Sequence, residues 1–317
     1  MTDPTRPDPA DVSFDLNETL RSIVSVRSNI IEDALTAAVL GTERAGYGAL
    51  IAKDGLILTI GYLVAEAERI WIIDDNGQTV EGHVIGYDYE SGFGLVQALQ
   101  PLRLPVIELA SAEPLEIFDS VIVAGQGGVA NSIVAKVIAK QEFAGYWEYV
   151  LDEAIFTAPA HPIWGGTAMI GSEGYLHGIG SLLVQQAIQE GETHNANMMV
   201  PIDQLIPILD ELKTYGRRNK PPRPWLGMLV YDAADQLVVG GIYDHCPADR
   251  AGIEVGDVIV SLDGKPAKGL ATFFRRVWNL GDAGVEVPLA VMRGGDKKEV
   301  SVVSADRNDC MKSPSVH

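Results

Sequence analysis

Three hydroxyls and two imidazoles lie close together along the chain: Thr167, Ser172 and Ser181, with His161 and His177. An imidazole that takes the proton of a serine or threonine makes that hydroxyl a nucleophile, so acyl transfer is the chemistry such residues could do. Hydroxyls in hairpins are common and nearness in sequence is not geometry, so turn and packing roles are the commoner explanation. The remaining histidines, including His83, His194 and His245, share no metal-ligand spacing. Cys246 has only His245 beside it, so no zinc site is built. The glycines of 124-AGQGGVAN-131 lack the lysine of a phosphate loop, and no helix-strand alternation follows them. They read as a strand-end turn, and no cofactor is expected.

The elements that must position these groups are mainly β. From Ala45 to about Val200, short β-branched runs alternate with glycine, Asp-Gly and Asn-Gly turns, as in 46-GYGALIAKDGLILTIG-61 and 168-AMIGSEGYLHGIGSLLV-184. That spacing marks antiparallel strands of a sandwich or barrel. Residues 1–13 read as a disordered tail and 14–30 as helix or strand. In 201-PIDQLIPILDELKTYG-216 the apolar residues share one helical face, with Gly216 as a stop. Residues 217-RRNKPPRP-224 read as a stiff, solvated linker rather than a ligand for a partner. Residues 225–305 resume strands around a helix at 271–280, and 306–317 form a loose tail. The aromatic stretch 143-FAGYWEYVLDEAIF-156 has an acidic edge that could be an interface; packing on the barrel is the preferred reading.

Composition bounds the partners. The 317 residues carry 43 acidic and 24 basic side chains, a net charge of −19, and 47% are apolar. A strongly acidic chain repels phosphate backbones and anionic bilayers, which excludes nucleic acid and membrane surfaces as partners. Two cysteines, Cys246 and Cys310, fit a reducing compartment better than a disulfide-built domain. The N-terminus has no basic start followed by an apolar stretch, and apolar runs such as 56-LILTIGYLVA-65 are too short to span a bilayer. A cytoplasmic protein is expected.

Three stretches in order, 46-GYGALIAKDGLILTIGYLV-64, 82-GHVIGYDYESGFGLVQ-97 and 155-IFTAPAHPIWGGTAMIGSEGYLHGIG-180, resemble the HtrA (DegP-like) family of trypsin-like serine proteases. The resemblance implies two six-stranded antiparallel barrels, with a catalytic histidine, aspartate and serine in the cleft between them. Those positions do not supply the groups. The histidine position is Tyr62, whose neutral phenol is a poor base, and the aspartate position is Phe93. The serine position is Trp164 if the paired glycines are matched, or Gly165 if the preceding proline is. Gly165 and Gly166 remain as an oxyanion-type turn. The three aromatics either converge in a binding patch or plug the vacated cleft, and plugging is preferred.

The motif 225-WLGM-228 and the stretch 246-CPADRAGIEVGDVIVSLDGKPAKG-269 resemble the carboxylate loop and core of the PDZ domain that follows such proteases. By that resemblance a partner's C-terminal segment pairs with the edge at Leu226 to Val230, and the amides of Trp225, Leu226, Gly227 and Met228 form its carboxylate loop. Phe273 and Val277, one turn apart, would wall the pocket. The expectation is a trypsin-like double β-barrel at 14–216, a linker at 217–224 and a PDZ-like α+β domain at 225–305. Its work would be that of a non-catalytic pseudoprotease binding protein C-termini or extended peptides as an adaptor or regulator. The alternatives are an active serine endopeptidase with a relocated nucleophile and a holdase-type chaperone. A homotrimer is implied by the resemblance alone.

Overall fold

The computed structural model of the chain describes residues 5–189 and 192–312, apart from the side chains of 186–189 and 192–194. The His194 side chain and residues 313–317 of the C-terminal tail therefore lie outside what is described. Two compact units emerge: one built from residues up to Gln141 and from Glu153–Asn219, the other from Glu142–Asp152 and from Lys220 onward. The division differs from the one read in the sequence, because residues 142–152 go with the second unit.

The first unit contains two closed barrels. Strands β1 (Ile23–Ile30), β2 (Glu43–Leu50), β3 (Leu56–Ile60), β4 (Ala67–Ile73), β5 (Thr79–Tyr87) and β6 (Phe93–Ala98) close in the order β1-β2-β3-β6-β5-β4. Strands β7 (Ser120–Ala124), β8 (Ser132–Gly145), β9 (Tyr149–Ala158), β10 (Ala168–Ile170), β11 (Leu176–Gln189) and β12 (Glu192–Pro201) close in the order β10-β11-β12-β9-β8-β7. The two-residue period decides which side chains turn inward. In β1, Val26, Ser28 and Ile30 are buried while Arg27 and Asn29 are exposed. All five residues of β3 are buried, as a continuous apolar run suggests. Val121, Val123, Ile133, Ala135, Val137, Ile155, Met169 and Met199 fill the second barrel.

Several local expectations need correction. The segment 14–30 is both helix and strand: Asp15 caps α1 (Leu16–Leu20) through the Glu18 amide, and β1 follows. Residues 5–13, expected as a loose tail, are tied down. The Val134 amide donates to the Thr5 carbonyl at 2.8 Å, Arg6 reaches the Ser132 carbonyl and Pro7 is buried. After the short α2 (Ala37–Leu40), the next helix is α3 (Leu209–Tyr215), which ends at Gly216 with φ 73. Residues 202–208 form two 3-10 turns instead of helix. Pro207 is the physical reason, since it removes a donor and clashes with the preceding turn.

In the second unit β13 (Met228–Ala233), β14 (Gln236–Ile242), β15 (Val258–Leu262), β17 (Glu286–Arg293) and β18 (Asp296–Val303) form one sheet, with β16 (Lys265–Pro266) paired to β15. Helices α4 (Pro247–Arg250) and α5 (Leu270–Trp278) complete the unit. Phe273, Phe274 and Val277 of α5 are fully buried against Leu226, Met228, Val230, Leu289 and Val291. The described part of the tail expected at 306–317 is not loose: Ala305 bridges Trp225 and residues 307–310 make a 3-10 turn. Among the described residues, no helix is long and apolar enough to cross a membrane.

Candidate functional site

In the first unit, the turn after β3 carries Tyr62. Arg44 holds this turn by donating to the carbonyls of Tyr62 (2.7 Å) and Ala65 (3.2 Å). The Tyr62 hydroxyl donates to the Ser181 carbonyl at 2.8 Å. Burial pushes this phenol above its ordinary value, outweighing the Trp164 hydrogen bond that lowers it, so the phenol stays neutral. Tyr62 and Trp164 are thus neighbours. Phe93, at the start of β6 opposite Ile60, is fully buried.

The β5–β6 turn that delivers Phe93 is built around Asp88, whose carboxylate is almost completely buried. It accepts from the Ser91 amide and hydroxyl, and from Nε and Nη2 of Arg218, both at 2.8 Å. Burial alone would raise the Asp88 carboxyl, but the Arg218 hydrogen bonds and charge, with the Ser91 bonds, outweigh it and hold the group below its ordinary value. Arg218 therefore corrects the reading of 217–224 as a merely solvated linker. Sequence reasoning missed this pair, because its partners lie far apart along the chain.

The loop at 164–166 presses against β2. The Tyr47 amide donates to the Gly165 carbonyl, and the Gly166 amide donates to the Gly180 carbonyl. That bond commits the Gly166 N–H to the fold rather than to an oxyanion. Gly166 sits at φ +77, where an added Cβ would lie 1.8 Å from the Tyr47 carbonyl oxygen. Only glycine fits. The Thr167 hydroxyl is buried and donates to the Trp164 carbonyl. The His161 ring nitrogens lie on the Ile163 and Asn131 carbonyls, and burial lowers its pKa more than those contacts raise it. Nδ1 of His177 lies on the Ser111 carbonyl. The Ser172 carbonyl accepts from the Ser13 hydroxyl, and the Ser181 carbonyl accepts from the Tyr62 hydroxyl. Neither imidazole thus meets a hydroxyl of Thr167, Ser172 or Ser181 in the hydrogen bonds these groups make. Among the described residues, no group of three or more metal-type ligands is placed to hold an ion.

The second unit contains a built carboxylate site. The Leu226 and Gly227 amides converge on the Glu148 side chain: Leu226 N–H lies 3.0 and 3.1 Å from its two oxygens, and Gly227 N–H lies 3.0 Å from one of them. Gly227 adopts φ +74, and an added Cβ would lie 2.7 Å from Cβ of Cys246, so this loop also requires glycine. Burial raises the Glu148 carboxyl to about 7, against the lowering pull of Arg307 and of the Leu226, Gly227 and Met228 amides. Trp225 packs on Tyr243 and under the Arg307 guanidinium. Phe273 and Val277 are fully buried and belong to the cluster that includes Val150. Glu148 was not singled out in the sequence. Its one signal was a carboxylate set between Trp147 and Tyr149, in a stretch that read instead as a strand or loop packed on the barrel.

Residues 46–179 match the family model for a trypsin-like peptidase domain, and residues 224–303 match that for a PDZ domain. A protein of Pseudomonas fulva named as a probable periplasmic serine endoprotease, DegP-like, is 28% identical over 81% of this chain and 55% of its own length. A protein of Hahella chejuensis with the same name is 26% identical over 86% of this chain and 60% of its own. The chain spans little more than half the length of these curated relatives. Among solved structures, an HtrA-type protease AlgW with a tripeptide superposes with a TM-score of 0.53 at 17% identity, covering 98% of this chain and 99% of that one. A serine endoprotease from Yersinia pestis gives 0.51 at 22% identity, covering 93% and 99%. The fold is shared. Two expectations are overturned. Relatives and structural neighbours are named proteases or serine endoproteases, against the reading of the chain as no enzyme. The relatives are named periplasmic, against the cytoplasmic placement and the reducing compartment inferred with it.

Proposed function

We propose that this HtrA-like chain, a trypsin-like peptidase domain followed by a PDZ domain, acts by recognising peptides that offer a free carboxylate and an extended main chain. One observation carries the reading: two consecutive amides, Leu226 and Gly227, already converge within 3.0 Å on a buried carboxylate. Charge-assisted bonds of this kind are roughly twice as strong as neutral ones, and strand addition at an adjacent edge supplies direction. The ligand class is a protein C-terminus, with Trp225, Leu226, Gly227 and Met228 as the loop and Phe273 and Val277 as the apolar wall. The relatives' names support a periplasmic setting. The family resemblance supports trimeric assembly, which analytical ultracentrifugation would read.

The relatives' names favour a second reading, that bound chains are cleaved by a serine endopeptidase mechanism. Such an activity here draws its nucleophile from outside the matched positions, since Tyr62, Phe93, Trp164 and Gly165 supply neither hydroxyl nucleophile, imidazole nor carboxylate. Thr167, Ser172 and Ser181 are the hydroxyls to map. The test pairs fluorophosphonate labelling and casein turnover, beside an active HtrA-type protease, with titration of free-acid peptides and their C-terminal amides. Labelling mapped to one of those hydroxyls supports the endopeptidase. Binding that is indifferent to amidation overturns recognition of the carboxylate.

A further inference from the structure

We infer that the peptide site of the PDZ unit is occupied by a segment of the chain itself, the turn between β8 and β9, which must leave before an outside C-terminus can bind. The inference rests on the recognition reading above and adds the occupant. Three separate contacts carry it, and each substitutes for a different part of a peptide ligand. The Glu148 carboxylate takes the Leu226 and Gly227 amides, the place of a terminal carboxylate. The Val230 amide on the edge strand β13 donates to the Tyr146 carbonyl at 2.8 Å, the place of a paired peptide main chain. Val150 joins the buried cluster of Leu226, Met228, Val230, Phe273 and Val277, the place of a ligand's apolar side chain.

The occupant is held by its flanks as well. Arg275 of α5 is paired with both Glu142 and Asp152, one on each side of the turn. Tyr146 stacks on Tyr231 of β13, with ring centroids 4.6 Å apart and planes at 18°. Glu148 sits at φ 63, a left-handed conformation uncommon outside glycine and short polar residues, so this backbone bends to deliver the side chain rather than extending past it. The chemistry also names the competitor: a peptide with a free carboxylate and an aliphatic terminal residue, since Val150 is the aliphatic side chain that the turn contributes to the buried cluster.

The test uses the full chain, the variants Glu148→Ala and Glu148→Gln, and a short peptide ending in free-acid valine with its C-terminal amide as control. The glutamine variant keeps the shape and guards against misfolding. Amide hydrogen exchange at Leu226, Gly227 and Val230 reads occupancy without any peptide. Those amides should be protected in the ligand-free wild type and lose protection in both variants. Equal exchange in wild type and variants overturns the inference. The free-acid peptide should bind the variants about ten- to a hundredfold more tightly than the wild type, because the carboxyl group that competes for both amides has been removed. Equal affinities also overturn it. If the amides are protected as expected but no protein binds the peptide, the occupied site stands and the recognition reading is what fails.

Discussion

Replacing Asp88 with alanine tests how the first unit is held. The Asp88 carboxylate is 4% exposed and takes four hydrogen bonds, two from Arg218 and two from Ser91. The guanidinium is 20% exposed and keeps a more distant contact to Glu90 at 3.5 Å. Removing one partner of a buried pair strands the other charge, at a cost of about 3–5 kcal/mol. The remaining Glu90 contact and the partial exposure of Arg218 argue for the lower end, about 3 kcal/mol. For a unit of this size each kcal/mol moves the melting temperature by about 2–4 °C, so a drop of roughly 6–12 °C is expected in circular-dichroism melts. The double variant Asp88→Ala with Arg218→Met removes the stranded charge and should melt higher than Asp88→Ala alone. The sign with pH is also fixed. A carboxyl held below its ordinary value adds stability above pH 3.8, and that stability is lost as the pH falls through the lowered native value. A loss below about 1 kcal/mol for Asp88→Ala, or a double variant weaker than the sum of the singles, refutes the reasoning.

Three further outcomes follow from the geometry. Burial, followed by the neighbouring Cys310, pushes the Cys246 thiol up to about 12, so iodoacetamide at pH 8 should modify Cys246 only after denaturation; modification in the native protein at the rate of a free thiol would contradict this burial. Gly166→Ala places a Cβ against the Tyr47 carbonyl at positive φ, and should cost more than about 1–3 kcal/mol or prevent folding, read by urea unfolding. Burial is the largest influence on Glu148, whose docked carboxyl titrates near 7 against an ordinary 4.5. Between those values the docked form keeps a proton that the released form gives up, so docking is strongest below about pH 4.5 and weakens as the pH rises to 7. The difference is roughly 3 kcal/mol, or about a hundredfold in exchange protection of the Leu226 and Gly227 amides after correction for intrinsic rates, and Glu148→Gln should show a flat profile.

What was legible in the sequence was what local pattern controls. Turn glycines and β-branched runs announced the strands that close into the barrels, because strand period and left-handed turns leave residue-level marks. Helix 201–216 was overcalled, since the apolar face was counted and Pro207 was not. What stayed hidden depended on partners distant in sequence. Neither the 130-residue separation of Asp88 and Arg218 nor the pairing of Glu148 with Leu226 leaves a periodic trace. The tails were read as loose on composition alone, yet three main-chain or side-chain bonds suffice to tie Thr5, Arg6 and Ser13 to the second barrel.

A carboxylate site made of main-chain amides does not distinguish whose carboxylate it holds, so its occupancy is decided by supply and by the contacts around it. A tethered occupant acts at an effective concentration of about millimolar for a short flexible connection. A free peptide present at about micromolar concentration with identical contacts would therefore fill only about one site in a thousand. To compete evenly it must gain roughly 4 kcal/mol from contacts that the turn does not make, at 1.4 kcal/mol per tenfold. The turn leaves such contacts unmade. It reaches the amides through a longer side chain from a left-handed residue, and its main chain supplies the Tyr146 carbonyl to β13 rather than a continuous ladder along Leu226 to Val230. An extended C-terminus can add those ladder bonds, each worth about 1 kcal/mol net. Peptides that pair along the whole edge should then displace the turn while single residues with a free carboxylate should not. A titration of free-acid peptides of increasing length against the wild type would show this as a threshold in length, and a uniform response down to one residue would refute it.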